Sequence, residues 1–542
     1  MKNRISGEDK TNMPKNSRHR TWILMYAVMA VFFVGISIMP ASAKAEKNAS
    51  DAAAVKKIIK EQRAQAERGK ASTEEVNVMM KSLDKLENLG SRKYVWSSKG
   101  RLIGLNWSGV LLTGDISVAG LPELKYLDVN QDSSERVPWG LEGLDVSKNK
   151  KLKKLECSGN KLTSLDISKN KELSLLNCND NPIKKLVLNN RLEELSCENN
   201  KLTSLDLSKA KGLLRLSCSG DQLASLNVKK NLELKELYFL GGKLKRLDIS
   251  RNLKLEFLKC ENSRLTSLDV SSNPELISLS CGNNQLKALN VKANPKLWTL
   301  ICSGNQMTRL DLRKNPGLSS LDCSNNQLSS VDFSKNPALE VLDCSDNQLS
   351  SIDLGRNPGL SSLDCSNNQL SSLDLGRNPD LGVLYCSSNQ LSRLDLSKNP
   401  SLRGLACSNN QLGSVDISKN SRLWRLTCDN NQLASLDTSK NPKLKLLDCS
   451  NNQLSSLDFS KNTDLYNLNC SNNQLSSLDF SKNSDLGVLD CSSNQLSTLD
   501  FSKNTDLESL DCRKNPLRSL IVSKNNPDWK YDEHVTVTEL EP

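Results

Sequence analysis

Residues 318–336, LSSLDCSNNQLSSVDFSKN, decide the fold of this chain, because most of the sequence repeats them. Cysteines mark the period: from Cys260 to Cys512, thirteen of them follow one another at intervals of 21 residues. Within one unit the leucines step by 10 and then by 11 residues, as at Leu318, Leu328 and Leu339. A fixed short period with this leucine spacing indicates a solenoid of stacked coils rather than several globular domains.

Each 21-residue unit is predicted to form two short parallel strands and two turns, because a full helix and a strand would not fit. In the first strand, LxxLxC, Leu321 and Cys323 point inward, and in the second strand, LxxLDxS, Leu328, Val331 and Phe333 do so. Asn326 and its equivalents stand three residues after the cysteine. They are predicted to adopt the left-handed conformation and to form a hydrogen-bonded ladder with the backbone of the turns.

The 17 cysteines are predicted to be buried free thiols that act as small apolar residues. Zinc needs four ligands that converge on one point, whereas these thiols form a line with one member in each coil. The carboxylates that recur at Asp322 and Asp343 follow from repetition, and no His, Ser or Cys constellation accompanies them. We therefore predict no catalytic residue, no cofactor and no metal site, with calcium bound along the aspartate rows as an open alternative.

Charge and the amino terminus indicate export rather than nucleic-acid binding. The first 43 residues carry +4 of the net +11, and the remaining +7 is spread over a chain rich in intermixed acids, so no nucleic-acid partner is predicted. Residues 1–43 combine basic residues, an apolar run at 22–39 and Ala41-Ser42-Ala43, as a cleaved signal peptide does. The protein is predicted to be secreted or on the cell surface. An uncleaved anchor formed by residues 22–39 is the alternative and the one membrane contact expected.

The remaining chain divides into four segments. Residues 44–93 are predicted to be a helical N-terminal cap, in which Ser72 and Glu75 form a capping box; a partner-binding helix is the alternative. Residues 94–140 are predicted to hold an opening hairpin and atypical repeats, residues 141–525 the solenoid, and residues 526–542 a C-terminal cap.

The repeat resembles a bacterial class of secreted or surface leucine-rich-repeat proteins with the consensus LxxLxLxxNxLxxLDLxxN. The likeness covers about residues 141–525, where this chain reads LxxLxCxxNQLxxLDxSKN, and GRLIGLNWSGVLLTGDIS at 100–117 is also similar to such proteins. Cysteine in place of leucine is the departure. The resemblance implies a curved solenoid of leucine-rich-repeat type that presents a surface to a macromolecule, and it implies no catalytic residues.

Outward positions on the first strand vary between units, whereas those on the second strand repeat Ser and Asp. Variable aromatic and arginine residues on a constant frame are typical of an interface, although drift at unimportant positions gives the same pattern. A protein ligand in an adhesion or adaptor role is predicted. Glycan or cell-wall binding, stacked on Tyr385, Trp424 and Tyr466, and a structural surface layer are the alternatives. The ligand-binding candidates are Tyr238, Phe257, Trp298, Tyr385, Arg403, Trp424, Arg425 and Tyr466.

Overall fold

A computed structural model describes residues 46–69, 71–131, 139–220, 222–522 and 529–539 of the chain. The chain divides into two compact units, Met1–Leu202 and Thr203–Pro542. Each unit is a run of stacked coils with parallel strands, so the prediction of a leucine-rich-repeat type solenoid is confirmed. The expected signal segment, residues 1–43, lies outside the described residues. Within the described part, none of the helices is long and apolar enough to span a membrane.

The first unit begins with two helices and continues with paired strands. Strands β1 and β2 form an antiparallel hairpin, and β2, β4, β6, β8 and β10 then pair in parallel order. On the second side of the coils, β3 pairs with β5 and β7 with β9. The elements are α1 Ala49–Arg68, α2 Thr73–Asp84, β1 Tyr94–Trp96, β2 Leu102–Asn106, β3 Thr113–Ser117, β4 Tyr126–Asp128, β5 Gly140–Asp145, β6 Lys154–Glu156, β7 Ser164–Asp166, β8 Leu175–Asn177, β9 Lys185–Val187 and β10 Glu194–Ser196.

Helix α1 covers the open edge of β3. The Gln62 amide accepts a hydrogen bond from the Thr113 N–H and donates one to the Thr113 carbonyl, both at 2.8 Å. The carboxylate of Asp51, only 1% exposed, receives bonds from the Arg101 guanidinium and the Leu102 N–H. Burial alone would raise the pKa of Asp51, but these donors hold it below its ordinary value. We propose that these helices are the cap expected over residues 44–93.

The second unit contains a long parallel sheet in which each strand pairs with the equivalent strand of the next coil. Strands β11 to β24 and then β26 pair in sequence order with leucine opposite leucine, as at Leu342 and Leu363. Strands β25, β27 and β28 form a second, three-stranded sheet. The strands are β11 Arg215–Ser217, β12 Glu236–Tyr238, β13 Phe257–Lys259, β14 Ser278–Ser280, β15 Thr299–Ile301, β16 Ser320–Asp322, β17 Val341–Asp343, β18 Ser362–Asp364, β19 Val383–Tyr385, β20 Gly404–Ala406, β21 Arg425–Thr427, β22 Leu446–Asp448, β23 Asn467–Asn469, β24 Val488–Asp490, β25 Thr498–Phe501, β26 Ser509–Asp511, β27 Ser519–Val522 and β28 Thr536–Glu539.

The core is a set of columns that run from coil to coil. All 17 cysteines are buried and free, and Phe239 takes the cysteine position in one coil while remaining 1% exposed. On the opposite side of the core, the rings of Phe459, Phe480 and Phe501 stack at centroid distances of 5.1 Å, which gives the step from one coil to the next. Because burial disfavours the thiolate, it raises the pKa of the thirteen thiols from Cys260 to Cys512, as for Cys281, whose pKa is about 12.

The asparagine ladder forms as predicted, although the left-handed residue is a different one. Asn347 donates to the carbonyls of Cys323, Cys344 and Ser345 at 2.9–3.2 Å, and its Oδ1 accepts from the Leu328 N–H at 3.0 Å. The positive φ belongs to the preceding position, as at Asp346 with φ 51°. The prediction that the same asparagine adopts the positive φ and forms the ladder was wrong. In the turn, the positive φ falls on the residue before the asparagine that forms the ladder.

The predicted second strand is absent from most coils. Of the described residues between 203 and 497, the second side carries one isolated bridge, from Asn227 to Asp248, and no named strand. In these coils the side-chain amide of Asn336 binds the carbonyls of Leu312 and Asn315, just as that of Asn149 binds the carbonyls of Val118 and Leu121 beside the ladder of β3 and β5. Between β7 and β9, where a ladder does form, the equivalent asparagine binds later carbonyls because the coil is shorter.

Asn336 and its equivalents form a second column of asparagines, and most of their buried side-chain oxygens accept no hydrogen bond from the described residues. In most of these coils the Oδ1 atom has no hydrogen-bond partner among the described residues, as for Asn294. Asn462 is an exception: the hydroxyl of Thr438, on the preceding coil, donates to its Oδ1 at 2.7 Å. In the other coils the position equivalent to Thr438 is apolar, for example Val270, whose carbonyl binds the Asn294 amide.

We expect Val270→Thr to be neutral or stabilising, by up to about 1 kcal/mol in the free energy of unfolding. A threonine in a core ordinarily costs stability because its hydroxyl loses water. Here the hydroxyl can donate to the Asn294 Oδ1, as Thr438 does to Asn462. Urea unfolding of the two variants and the parent protein measures the effect. The reverse change, Thr438→Val, should destabilise by about 1–2 kcal/mol, and equal losses in both variants would contradict this account.

Candidate functional site

Four columns of side chains lie on the first-strand side of the second unit and are named by their distance from the cysteine position. Columns A, B and C are the residues four, three and one before it, as at Ser319, Ser320 and Asp322 in the coil of Cys323. Column D is the residue six before it, in the turn that precedes the strand. Because coils repeat in register, each column places side chains from successive coils next to one another.

The eight candidate residues fall into three of these columns and into two groups along the unit. The first group lies in the coils whose cysteine positions run from 239 to 302, and the second in those from 386 to 470. Coils that carry mainly Ser and Asp on this side separate the two groups. Column A holds Trp298, Arg403, Trp424 and Tyr466; column B holds Phe257 and Arg425; column C holds Tyr238 and Tyr385. Arg403, Trp424 and Arg425 therefore lie on adjacent coils, and Tyr466 lies two coils beyond Trp424 in the same column.

Tyr238 and Tyr385 contribute to the surface in different ways. Tyr238 is only 8% exposed, and its hydroxyl donates to the Glu236 carboxylate at 3.2 Å. Burial, together with the nearby Glu236 charge, raises the pKa of Tyr238. Tyr385 is half-buried in column C, two coils before Trp424 and in a different column. The three aromatic residues expected to form one stacking platform therefore do not share a column.

An open depression of about 420 Å³ lies between Trp424 and Tyr466. Its lining residues are Trp424, Lys445, Leu446, Asp464, Tyr466 and Asp485. Trp424, Lys445 and Tyr466 are successive members of column A, so with a coil step of 5.1 Å the two aromatic residues stand about 10 Å apart on either side of Lys445. Tyr466 is 43% exposed and rests on the next coil, where a Cβ at Gly487 would collide with its ring.

Column D lines the depression with the carboxylates of Asp464 and Asp485, here called the acidic wall, which form no ion pair with the described residues. In earlier coils acids and bases of this column pair between neighbours, as Lys254 with Glu233 and Lys296 with Glu275, each at 2.6 Å. Asp464, Asp485 and Asp506 instead occupy three successive coils, and all three are exposed. Among the described residues, Asp464 and Asp485 receive hydrogen bonds only from neighbouring hydroxyls, and no ion pair joins them to Lys445.

Sequence reasoning found the aromatic ends of this depression and missed Lys445, Leu446, Asp464 and Asp485. The signal available in the sequence was an aspartate at the same position in three successive units, a run of acids that the preceding units of the array do not show. It was missed because column D lies in the turn before the strand, whereas only the strand's outward positions were compared. Two neighbouring carboxylates, an ammonium group and two aromatic rings can bind a small polar or charged group.

The aspartates of column C are arranged for local hydrogen bonding. The Asp343 carboxylate accepts from the N–H and hydroxyl of Ser345 at 3.0 and 2.6 Å. Burial raises the pKa of Asp343, and its neighbours Asp364 and Asp322 raise it further, against the lowering effect of those bonds. The described residues contain no group of three or more His, Cys, Asp or Glu side chains that could hold a metal ion.

Comparison with known proteins places this architecture among leucine-rich repeats. Residues 337–377 match the family described as Leucine Rich repeats (2 copies). The chain is similar to the functional domain of InlJ from Listeria monocytogenes, described as including a cysteine ladder: the two are 31% identical, the match covers 66% of this chain and 76% of that one, and the TM-score is 0.56. No curated protein gives a significant match.

Two further solved structures share the fold at lower identity. YopM from Yersinia enterocolitica is 24% identical over 90% of this chain and 99% of that one, with a TM-score of 0.62. The ectodomain of the Arabidopsis thaliana receptor kinase GASSHO1/SCHENGEN3, in complex with CASPARIAN STRIP INTEGRITY FACTOR 2, is 22% identical over 79% of this chain and 64% of that one, with a TM-score of 0.60. At these identities the likeness concerns the fold.

Proposed function

This chain belongs to the leucine-rich-repeat proteins, and we propose on that basis that it is a non-enzymatic scaffold that binds a protein ligand. The observation that carries the proposal is the contrast between the two sides of the coils. The first-strand side varies and places Trp424 and Tyr466 around a depression, with Arg425 next to Trp424 in the chain, whereas the second side repeats Ser, Asp and Lys. The GASSHO1/SCHENGEN3 ectodomain, solved in complex with CASPARIAN STRIP INTEGRITY FACTOR 2, supports the use of this fold for binding a ligand.

We further propose that the protein is exported and works at the cell surface or outside the cell, as an adhesin or adaptor. Support comes from residues 1–43, in which basic residues precede an apolar run and Ala41-Ser42-Ala43. The burial of all 17 thiols also suits an oxidising compartment, because buried thiols are protected from exchange and oxidation. The candidate ligand-binding residues remain the eight named above, with Trp424, Arg425 and Tyr466 at the centre.

A glycan ligand is the second candidate. Two aromatic residues about 10 Å apart with an ammonium and two carboxylates between them would suit stacking of sugar rings and hydrogen bonds to hydroxyls. We favour a protein because the variable side chains extend over five coils, or four steps, from Tyr385 to Tyr466. At 5.1 Å for each coil they span about 20 Å, the scale of the centre of a protein interface.

We expect Trp424→Ala combined with Arg425→Ala to weaken ligand binding by about 2 kcal/mol or more. The change removes an aromatic side chain and an exposed guanidinium from the centre of the face and leaves the buried columns intact. The ligand is to be isolated by pull-down with the mature protein beside a glycan array, and affinity measured by titration calorimetry on purified components.

The matched control is Asp353→Asn combined with Asp374→Asn, which changes two exposed residues on the second side. This variant should keep the parent affinity, and thermal unfolding should show both variants as stable as the parent protein. If the asparagine variant loses affinity while the alanine variant keeps it, the binding face lies on the second side instead. An oligosaccharide as the bound species would replace the protein with a glycan as the ligand.

A further inference from the structure

We propose that the depression between Trp424 and Tyr466 receives a cationic side chain of the ligand, with arginine preferred over lysine. This inference rests on the proposed function, because it names the chemistry by which the protein ligand would be recognised. It is carried by the geometry and charge of the six lining residues rather than by their sequence alone.

The acidic wall lacks a cation. Asp464 and Asp485 are exposed, lie on adjacent coils about 5 Å apart, and make no ion pair with any described residue. Two carboxylates at that distance repel one another, and a cation placed between them removes the repulsion. Elsewhere in column D the neighbouring coil supplies that cation, as Lys254 does for Glu233. In this part of the column the coil before Asp464 carries Lys443, but no ion pair joins these two described residues, so the carboxylates of Asp464 and Asp485 remain able to accept a cation from a ligand.

The aromatic ends favour a flat cation. The Tyr466 ring is held in place against the backbone of Gly487, so it does not need to be ordered when a ligand binds. A guanidinium stacks on such rings and its planar fork can donate to two carboxylates at once, whereas an ammonium does so only as a point charge. An arginine therefore fits both the rings and the acidic wall, and its apolar stem can lie against Leu446.

Lys445 makes the proposal sharply testable. Its side chain lies between the two rings, and its ammonium repels an incoming cation while it attracts an anion or a sugar hydroxyl. This ammonium and the carboxylates of Asp464 and Asp485 together give the six lining residues a net charge of −1. Lys445→Met keeps an apolar side chain at this position and removes its charge, so it should strengthen the binding of a cation and weaken that of any other class of ligand.

The experiment titrates the full mature protein with Nα-acetyl-arginine amide by saturation-transfer NMR at low salt. The neutral isostere Nα-acetyl-citrulline amide is the reference ligand. We expect the arginine probe to bind at least about 5-fold more tightly than citrulline, Asp464→Asn with Asp485→Asn to abolish that preference, and Lys445→Met to increase arginine affinity about 3-fold. The variant Asp353→Asn with Asp374→Asn should leave both affinities unchanged, since those residues lie on the other side.

Equal binding of arginine and citrulline would overturn the inference, as would weaker arginine binding by Lys445→Met. Oligosaccharide binding that is lost in Lys445→Met would assign the depression to a glycan. These results are separate from a failure of the proposed function. If Trp424→Ala with Arg425→Ala still abolishes binding of the isolated protein ligand, the face is correct and only the identity of the group in the depression is wrong.

Discussion

Raising the pH from 8 to 10 is expected to unfold the second unit of this protein under reducing conditions. Its thirteen cysteines from Cys260 to Cys512 are buried, and burial raises the pKa of each of them. The pKa of Cys281 and that of Cys407 are about 12. In the unfolded chain a cysteine has a pKa near about 8.5.

The direction of the effect follows from counting bound protons. Between about pH 8.5 and 12 the unfolded chain releases its thiol protons while the folded chain keeps them, so the unfolded state gains stability as the pH rises. The stability that the thiols contribute is fully present below their pKa in the unfolded chain, and it is lost as the pH rises toward their pKa in the folded chain. Each thiol contributes up to about 1.4 kcal/mol for each pH unit. Five coils that unfold together would therefore lose about 7 kcal/mol for each pH unit once their thiols ionise.

Urea unfolding at pH 7.5, 8.5, 9.5 and 10 in the presence of a phosphine reductant measures this dependence. The matched variant replaces Cys323, Cys344 and Cys365 with alanine. It should start less stable at pH 7.5 because it loses buried atoms, yet its stability should fall more slowly, by about 4 kcal/mol less for each pH unit. Parallel pH curves for the parent and the variant would show that the thiols do not titrate on unfolding.

The core could be read from the sequence because it is repeated. Leucine and cysteine recur at fixed positions with a period of 21 residues, so each coil buries the same kinds of side chain in the same places. Because the pattern recurs in so many units, its agreement with a solenoid is not accidental. The burial of Leu321, Cys323, Leu328 and Phe333 follows the prediction, whereas Val331 is only half-buried. Even atypical positions follow it: Trp107 and Val129 take the cysteine's place in the first unit and are both buried.

Backbone hydrogen bonding on the second side could not be read in the same way. Alternation of apolar residues predicts which side chains turn inward, but it does not say whether neighbouring coils form a ladder there. Likewise, the depression needs Asp464 and Asp485 from turns and Tyr466 from a column beside them, and only the folded coil brings these positions together.

The largest single-residue effect is expected for the asparagine ladder, whose members are nearly inaccessible to solvent. We expect Asn347→Ala to destabilise the coils around it by about 4 kcal/mol. The change removes the two N–H donors that the amide shares among the carbonyls of Cys323, Cys344 and Ser345, and it leaves the buried Leu328 N–H without its acceptor. Water cannot replace the amide readily, because Asn347 is only 9% exposed.

Two further variants separate the lost hydrogen bonds from general disturbance of the turn. Gln348→Ala changes an exposed neighbour and should stay within about 0.5 kcal/mol of the parent. Asn347→Ser should recover part of the loss, because Ser263 occupies the equivalent position and its hydroxyl bonds the carbonyls of Gly241 and Glu261. Urea unfolding with hydrogen exchange at the coils of Cys323 and Cys344 measures the effect. If Asn347→Ala matched Gln348→Ala, the ladder would add no stability beyond that of the stacked leucines.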